Sequence, residues 1–350
     1  MSATKLLKRI CYGDGHAKED GVTTEDIHHY TFGISSDPLL QFSAVFAALI
    51  HDVGHEGVPN GQLATELPHL AEIYESRSIA EQRSVDVALE LLMLPKYKNL
   101  RACICGDEAG QERFRQLLIH CVLATDIFEK GLKEQRNERW EQAFHSQEAT
   151  SEGPLSKEGM DRKATIVLEH IIQASDVSHT MQHWHIYIKW NERLFQEMYA
   201  AFKAGRAEKN PSEGWYKGEL WFFDYYVIPL AKKLKECGIF GVSSDEYLTY
   251  AEQNRTEWEQ RGEEICQAML ERCEMEAEKK AAKSKRIDSV PEEDEADENV
   301  YQDEQREGRS RSNSMNGSIR SANAIMEVED NDESQHSYAC LLYTSPSPRD

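Results

Sequence analysis

Residues 40–50, LQFSAVFAALI, form an apolar run of helical length that leads without a break into His51-Asp52-Val-Gly54-His55-Glu-Gly57-Val-Pro-Asn60. A buried helix does not end in adjacent His and Asp unless both side chains find partners, because an unpaired buried charge is costly. Neighbouring helix positions differ by ~100°, so both side chains can converge on one ion at the helix end. Imidazole nitrogen and carboxylate oxygen suit Zn²⁺, and the second carboxylate oxygen is free to bridge to Mg²⁺ or Mn²⁺. His55 follows four residues on, and Gly54 and Gly57 allow a tight turn around the site. Taken alone, such a dipeptide is more often a capped or ion-paired helix end, since metal sites need more than two ligands.

The rest of the first ~275 residues reads as helix as well. Segments 78–93, 112–130, 164–178 and 184–203 place apolar residues three and four apart, whereas alternating strand patterns are nearly absent. Turn-rich stretches at 11–22, 106–110 and 209–214 separate them. The expectation is an all-α, multi-helix domain over residues 1–277. Beyond it come EMEAEKKAAKSKR, PEEDEADENV and GRSRSNSMNGSIRSAN, too poor in large apolar groups to offset the entropy of ordering. Residues 278–350 are therefore expected to be a disordered acidic tail. Its last ten residues, LLYTSPSPRD, match neither part and resemble a translated sequencing adapter.

The balance of 40 Lys and Arg against 62 Asp and Glu, a net charge of −22, argues against a nucleic-acid or anionic-membrane surface. A small anionic substrate would need metal ions to offset that field. The eight cysteines are scattered; Cys103 and Cys105 lack structural-zinc spacing, so free thiols in a reducing compartment are expected. No stretch reaches the ~20 apolar residues of a membrane span and no signal peptide opens the chain. A soluble, cytoplasmic domain follows.

A second piece strengthens the first. Residues 164–178, ATIVLEHIIQASDVS, form an apolar helical run with Asp176 near its end, and the carboxylate is expected to point inward. A His-Asp pair with a distant inward Asp on another helix is the ligand pattern of the HD phosphohydrolases. Here the sequence resembles the catalytic domain of class I 3',5'-cyclic-nucleotide phosphodiesterases over roughly residues 35–262. His51 to Asn60 match HD-x-x-H-x-G-x-x-N. LATD at 123–126, the Asp176 helix, Trp190 with Arg193, GELWFFDYYVIPL at 218–230 and NRTEW at 254–258 follow in family order. The version is most similar to phosphodiesterases of unicellular eukaryotes.

The resemblance implies the compact HD-type helical fold and hydrolysis of the cyclic phosphodiester of cAMP or cGMP to the 5'-monophosphate. It implies two divalent ions, Zn²⁺ and Mg²⁺ or Mn²⁺, with His51, Asp52 and Asp176 as ligands and Asp52 reaching both. His55 and Glu81 would orient bound water from behind the ligands. Phe222 would stack on the purine, and Glu219 holds the position from which a glutamine reads the purine edge. An ionised Glu219 only accepts hydrogen bonds, which favours guanine and hence cGMP. The cyclic nucleotide is the expected partner, with a fused regulatory or cyclase domain possible in a longer parent attached to a membrane.

The chain also departs from the family pattern. The H-N-x-x-H motif that supplies a general acid and one more ligand is absent upstream, and His16, His28 and His29 lack its spacing. A truncated, weakly active fragment is therefore expected, since a general acid contributes ~10²–10⁴-fold. Gly54 replaces an acidic residue, Gln82 and Arg83 follow Glu81, and His179 stands where Asn is common. Two other readings remain open: a catalytically inactive module that binds cyclic nucleotide or a partner helix, and another HD-family phosphohydrolase.

Overall fold

The computed structural model describes residues 2–12, 23–146, 155–240 and 242–287, and among these the regular structure is entirely helical. In chain order run α1 (Ser2–Tyr12), α2 (Thr24–Tyr30), α3 (Pro38–Ile50), α4 (Asn60–Glu66), α5 (Pro68–Ile73), α6 (Ile79–Met93) and α7 (Lys98–Cys105). They are followed by α8 (Glu108–Leu123), α9 (Lys130–Phe144), α10 (Lys157–Asp176), α11 (Trp184–Lys203), α12 (Trp215–Phe222), α13 (Ile228–Glu236) and α14 (Val242–Ile287). A π-helical turn, Phe223–Val227, joins α12 to α13. The all-α expectation is met. The described residues up to Glu274 form one compact unit, and from Met275 a second begins, of which only the end of α14 is described. The tail expected from residue 278 lies largely outside the described residues; over the part that is described, through Ile287, the backbone is helical.

α10 organises the unit. Every residue from Ala164 to Ala174 is buried except Thr165, and the helix packs on α1, α3, α8, α9 and α13. A helix buried on all sides must satisfy each polar side chain it carries. Glu169 takes Arg139 at 2.8 Å, His170 Nδ1 pairs with Ile166 O at 2.7 Å, and Gln173 Nε2 donates to Ala124 O at 2.8 Å. Burial pushes the His170 pKa down to about 4, so its ring is neutral in the core.

α3 starts on Asp37, whose carboxylate accepts from Leu40 N at 3.0 Å, with Pro38 in the first turn. Leu40, Ala44, Ala47 and Ile50 then bury one stripe. Of the 112–130 segment, expected to be helical throughout, only the part up to Leu123 is helix before a turn leads to Lys130. α8 stops at Leu123 and α9 starts at Lys130, because the Asp126 carboxylate accepts from Phe128 N and Glu129 N, each at 3.1 Å, and turns the chain. The described cysteines are free, as expected. No helix among the described residues is long and apolar enough to cross a membrane.

Gly262 gives a test of packing against propensity. It lies buried inside α14, and a Cβ there would come within 2.8 Å of the Trp258 and Tyr216 rings. Helix propensity alone favours alanine by ~1 kcal/mol, but rigid rings cannot yield and overpacking costs ~1–3 kcal/mol. Gly262→Ala is expected to destabilise the domain; a higher midpoint in urea unfolding would show that the rings shift freely.

Candidate metal centre and pocket

At the end of α3 the backbone continues through a tight turn, with Val53 N bonded to Ile50 O and His55 N to Asp52 O. Gly54 and Gly57 have φ of +75° and +71°, a region that side chains rarely adopt. Glycine at both positions makes the turn without steric cost. His51 Nε2 lies 3.3 Å from Asp52 Oδ2 and 3.3 Å from Asp176 Oδ1, which arrives from the last turn of α10. One ligand atom from each of these half-buried residues falls within 4.8 Å of the others. Asp52 Oδ2 is buried and, beyond its ionic contact with His51 Nε2, accepts no hydrogen bond. A nitrogen and two carboxylates gathered around a buried, unsatisfied oxygen suit a divalent cation. With protein groups alone, burial lowers the His51 pKa, but Asp176 and then Asp52 outweigh it and raise the value to about 11.

Beside this cluster opens a cavity of about 180 Å³, lined by Asp52, His55, Asn60, Glu81, Asp176 and Phe222 among others. One wall is the α8–α9 turn, where residues 125–129 all face the cavity. Asp126, the last residue of the LATD segment, is 7% exposed and ties this wall together. Besides the two amides, it accepts from Ser78 Oγ at 2.7 Å and Asn60 Nδ2 at 3.4 Å. Asn60 also donates to Glu81 Oε2 at 3.0 Å and accepts from Ala80 N at 2.9 Å. Burial first, and then the Asp126 charge, raise the Glu81 pKa, while the Asn60 bond opposes them. Ser76 and Ser78, also on the cavity, have φ of +58° and +40°. Strained backbone of this kind is held only by surrounding contacts. An apolar helix running into Thr125-Asp126 repeats the pattern of α3 running into His51-Asp52, and that repetition was the available signal for Asp126.

His55 lies on the cavity and its Nδ1 accepts from Gly57 N at 3.1 Å, which leaves Nε2 as the protonated nitrogen. Phe222 is fully buried, stacked on Tyr226 with ring centroids 5.2 Å apart, and forms apolar wall.

Glu219 behaves differently from expectation. It is 2% exposed and absent from the residues lining the cavity. Its Oε2 accepts from Tyr187 O–H at 2.6 Å. Burial pushes its pKa up to about 8, against the pull of Tyr187 and Asn191. The neutral acid has one donor and one acceptor, so the argument for guanine from an ionised acceptor loses its premise. His28 and His29 stand on α2, where His28 pairs with Ser36, and neither lines the cavity; His16 lies outside the described residues.

The chain matches the sequence model of the 3'5'-cyclic nucleotide phosphodiesterase family over residues 26–239. It is 28% identical over 158 residues to "Probable 3',5'-cyclic phosphodiesterase pde-1" of Caenorhabditis elegans, covering 45% of this chain and 21% of that protein. To "Probable 3',5'-cyclic phosphodiesterase pde-3" of the same organism it is 25% identical over 247 residues, covering 67% and 34%. The chain thus spans between about a fifth and a third of these relatives' length. The crystal structure of the phosphodiesterase domain of Salpingoeca rosetta rhodopsin phosphodiesterase superposes with a TM-score of 0.53 at 20% identity, covering 70% of this chain and 76% of that one. A second structure, of the phosphodiesterase domain of the same organism's RhoPDE fusion protein, gives 0.51 at 19%, covering 70% and 77%. These two share the fold. A family match across most of the helical unit, with the His-Asp-Asp cluster inside it, places the chain in the 3',5'-cyclic-nucleotide phosphodiesterase family.

Proposed function

We propose that this domain hydrolyses the 3',5'-cyclic phosphodiester of cAMP or cGMP to the 5'-monophosphate. The observation that carries the reading is the convergence of His51, Asp52 and Asp176 beside a cavity that Asp52, Asp176 and Phe222 line together. His51, Asp52 and Asp176 would hold the divalent ions, and Zn²⁺ with Mg²⁺ or Mn²⁺ would suit these nitrogen and carboxylate donors. Bound divalent cations supply positive charge that offsets the phosphate's own and makes water more acidic. Water adds its oxygen to phosphorus, the bond from phosphorus to the 3' oxygen breaks, and the proton that the water gives up is matched by the one that the 3' oxygen takes as it leaves as a hydroxyl.

The chain's own residues prepare this step. His55, its tautomer fixed by Gly57 N–H, presents Nε2–H to a phosphate oxygen or to water. Glu81, held by Asn60, orients water at the cavity edge. Phe222, backed by Tyr226, gives the base a flat apolar wall. The free thiols support a cytosolic setting. The solved neighbours come from a rhodopsin–phosphodiesterase fusion, and a fused sensory or cyclase domain is the partner we propose for this chain.

The test is to incubate the protein with Mn²⁺ or with Zn²⁺ and Mg²⁺, add cAMP or cGMP, and follow the phosphorus by ³¹P NMR. The expected result is the 5'-monophosphate, with turnover stopped by EDTA. Binding without turnover would replace the proposal with an inactive binding module. Turnover of nucleoside triphosphates alone would replace it with another phosphohydrolase.

A further inference from the structure

The cavity wall at residues 125–129 is held from behind by side chains that do not touch the cavity. α8 ends at Leu123, where the last carbonyls of a helix lack helical donors. Arg136 donates through Nη1 to Leu123 O at 3.4 Å and through Nη2 to Asp126 O at 3.0 Å. Between them, Gln173 takes Ala124 O at 2.8 Å. Arg136 is half-buried on α9, facing Tyr226, Glu169 and Asp126, and is not among the cavity-lining residues. The arrangement closes on itself. The Asp126 carboxylate binds the amides of Phe128 and Glu129 just ahead of α9, and α9 returns Arg136 to the Asp126 carbonyl.

We propose that Arg136 is a positioning residue for the hydrolysis, fixing the turn through which Asp126 holds Asn60 and Ser78 against the cavity. The inference rests on the phosphodiesterase reading. A guanidinium suits the task because its rigid fork reaches two carbonyls at once and its charge complements a helix C-terminus. A lysine presents one point charge and cannot span both. Arg136 stands on the inward face of α9, in line with Leu132, Trp140, Ala143 and Phe144, of which Trp140 and Ala143 are buried in the core; that face places the guanidinium inward, whereas its carbonyl partners come from a turn that only the fold brings there.

Arg136→Met and Arg136→Lys test this with two measurements on the full chain. Amide hydrogen exchange at Phe128 and Glu129 is expected to speed up about tenfold or more in Arg136→Met, while exchange in α10 stays as in the wild type. For cyclic-nucleotide hydrolysis, kcat/KM is expected to fall about 10–100-fold, the range seen for groups that orient a metal site from outside. Arg136→Lys is expected to fall between the two proteins in both measurements. Unchanged exchange at 128–129 with unchanged kcat/KM would overturn the proposal. So would faster exchange spread equally through α10, with lysine no better than methionine, because the loss would then be global. If the wild type itself fails to hydrolyse cyclic nucleotides, the phosphodiesterase reading falls and with it the catalytic half of the proposal. Exchange at 128–129 would then decide separately whether Arg136 holds the turn.

Discussion

Asp176→Asn is expected to lower cyclic-nucleotide hydrolysis about 10³-fold while leaving the metal-free protein folded. The substitution keeps size and shape but removes the charge that α10 brings to His51 and Asp52. Charge stabilisation by a metal is worth several kcal/mol in the transition state, and ~1.36 kcal/mol is a factor of ten in rate. The side chain is half-buried, so water can compensate much of the lost contact with His51. Metal binding gives a second readout that does not depend on turnover. Mn²⁺ at a hundred times its dissociation constant should stabilise the wild type by ~2.7 kcal/mol, and this gain should nearly vanish in the variant. If Asp176→Asn keeps both wild-type turnover and the Mn²⁺-dependent rise in melting temperature, Asp176 is not a ligand.

The second large effect concerns stability and pH. Burial raises the Glu219 carboxyl from its ordinary 4.5 to about 8 in the folded protein. Between those values the folded state holds a proton that the unfolded state has lost. Stability from this group is therefore complete below about 4.5 and declines as pH rises through about 8. Glu219→Gln should abolish the decline. The amide is close in shape to the neutral acid and keeps an acceptor for the Tyr187 hydroxyl. Each pKa unit is worth ~1.36 kcal/mol; allowing for local relaxation, the variant should be about 2–3 kcal/mol more stable than wild type at pH 8.5 and nearly equal at pH 4.5. Urea unfolding at the two pH values decides it. An advantage that does not grow with pH would mean that Glu219 is ionised in the folded protein.

These two residues also mark where sequence was informative. Asp176, like His51 and Asp52, was legible because its signal is local, an apolar helical run that ends on a charge with no reason to face solvent. The all-α architecture was legible for the same reason, as periodicity is written in consecutive residues. Glu219 could be located, but its charge state depends on Tyr187 and Asn191, contributed by α11. Asp126 takes its role from Ser78 and Asn60, which lie 48 and 66 residues away along the chain. The break at Leu123 was missed because apolar spacing continues through it, and only the bonds from Asp126 to the next amides interrupt the helix.

The support of the α8–α9 turn has a consequence for how this enzyme family can diversify. The backbone there is gripped through Leu123 O, Ala124 O and Asp126 O by residues outside the cavity, whereas Thr125, Ile127, Phe128 and Glu129 face into it. Framework and lining overlap at Asp126, which both faces the cavity and holds the turn; elsewhere the main chain is held from outside the cavity. Thr125 Oγ1 also donates to Val122 O at 2.6 Å, and Ile127 and Phe128 pack on the core, so size-conserving changes at these three positions, and freer changes at Glu129, are the route by which ligand preference can shift while the main chain stays held. Mutational scanning of this turn should find the widest tolerance at Glu129, tolerance of size-conserving changes at 125, 127 and 128, and intolerance at Asp126 and Arg136.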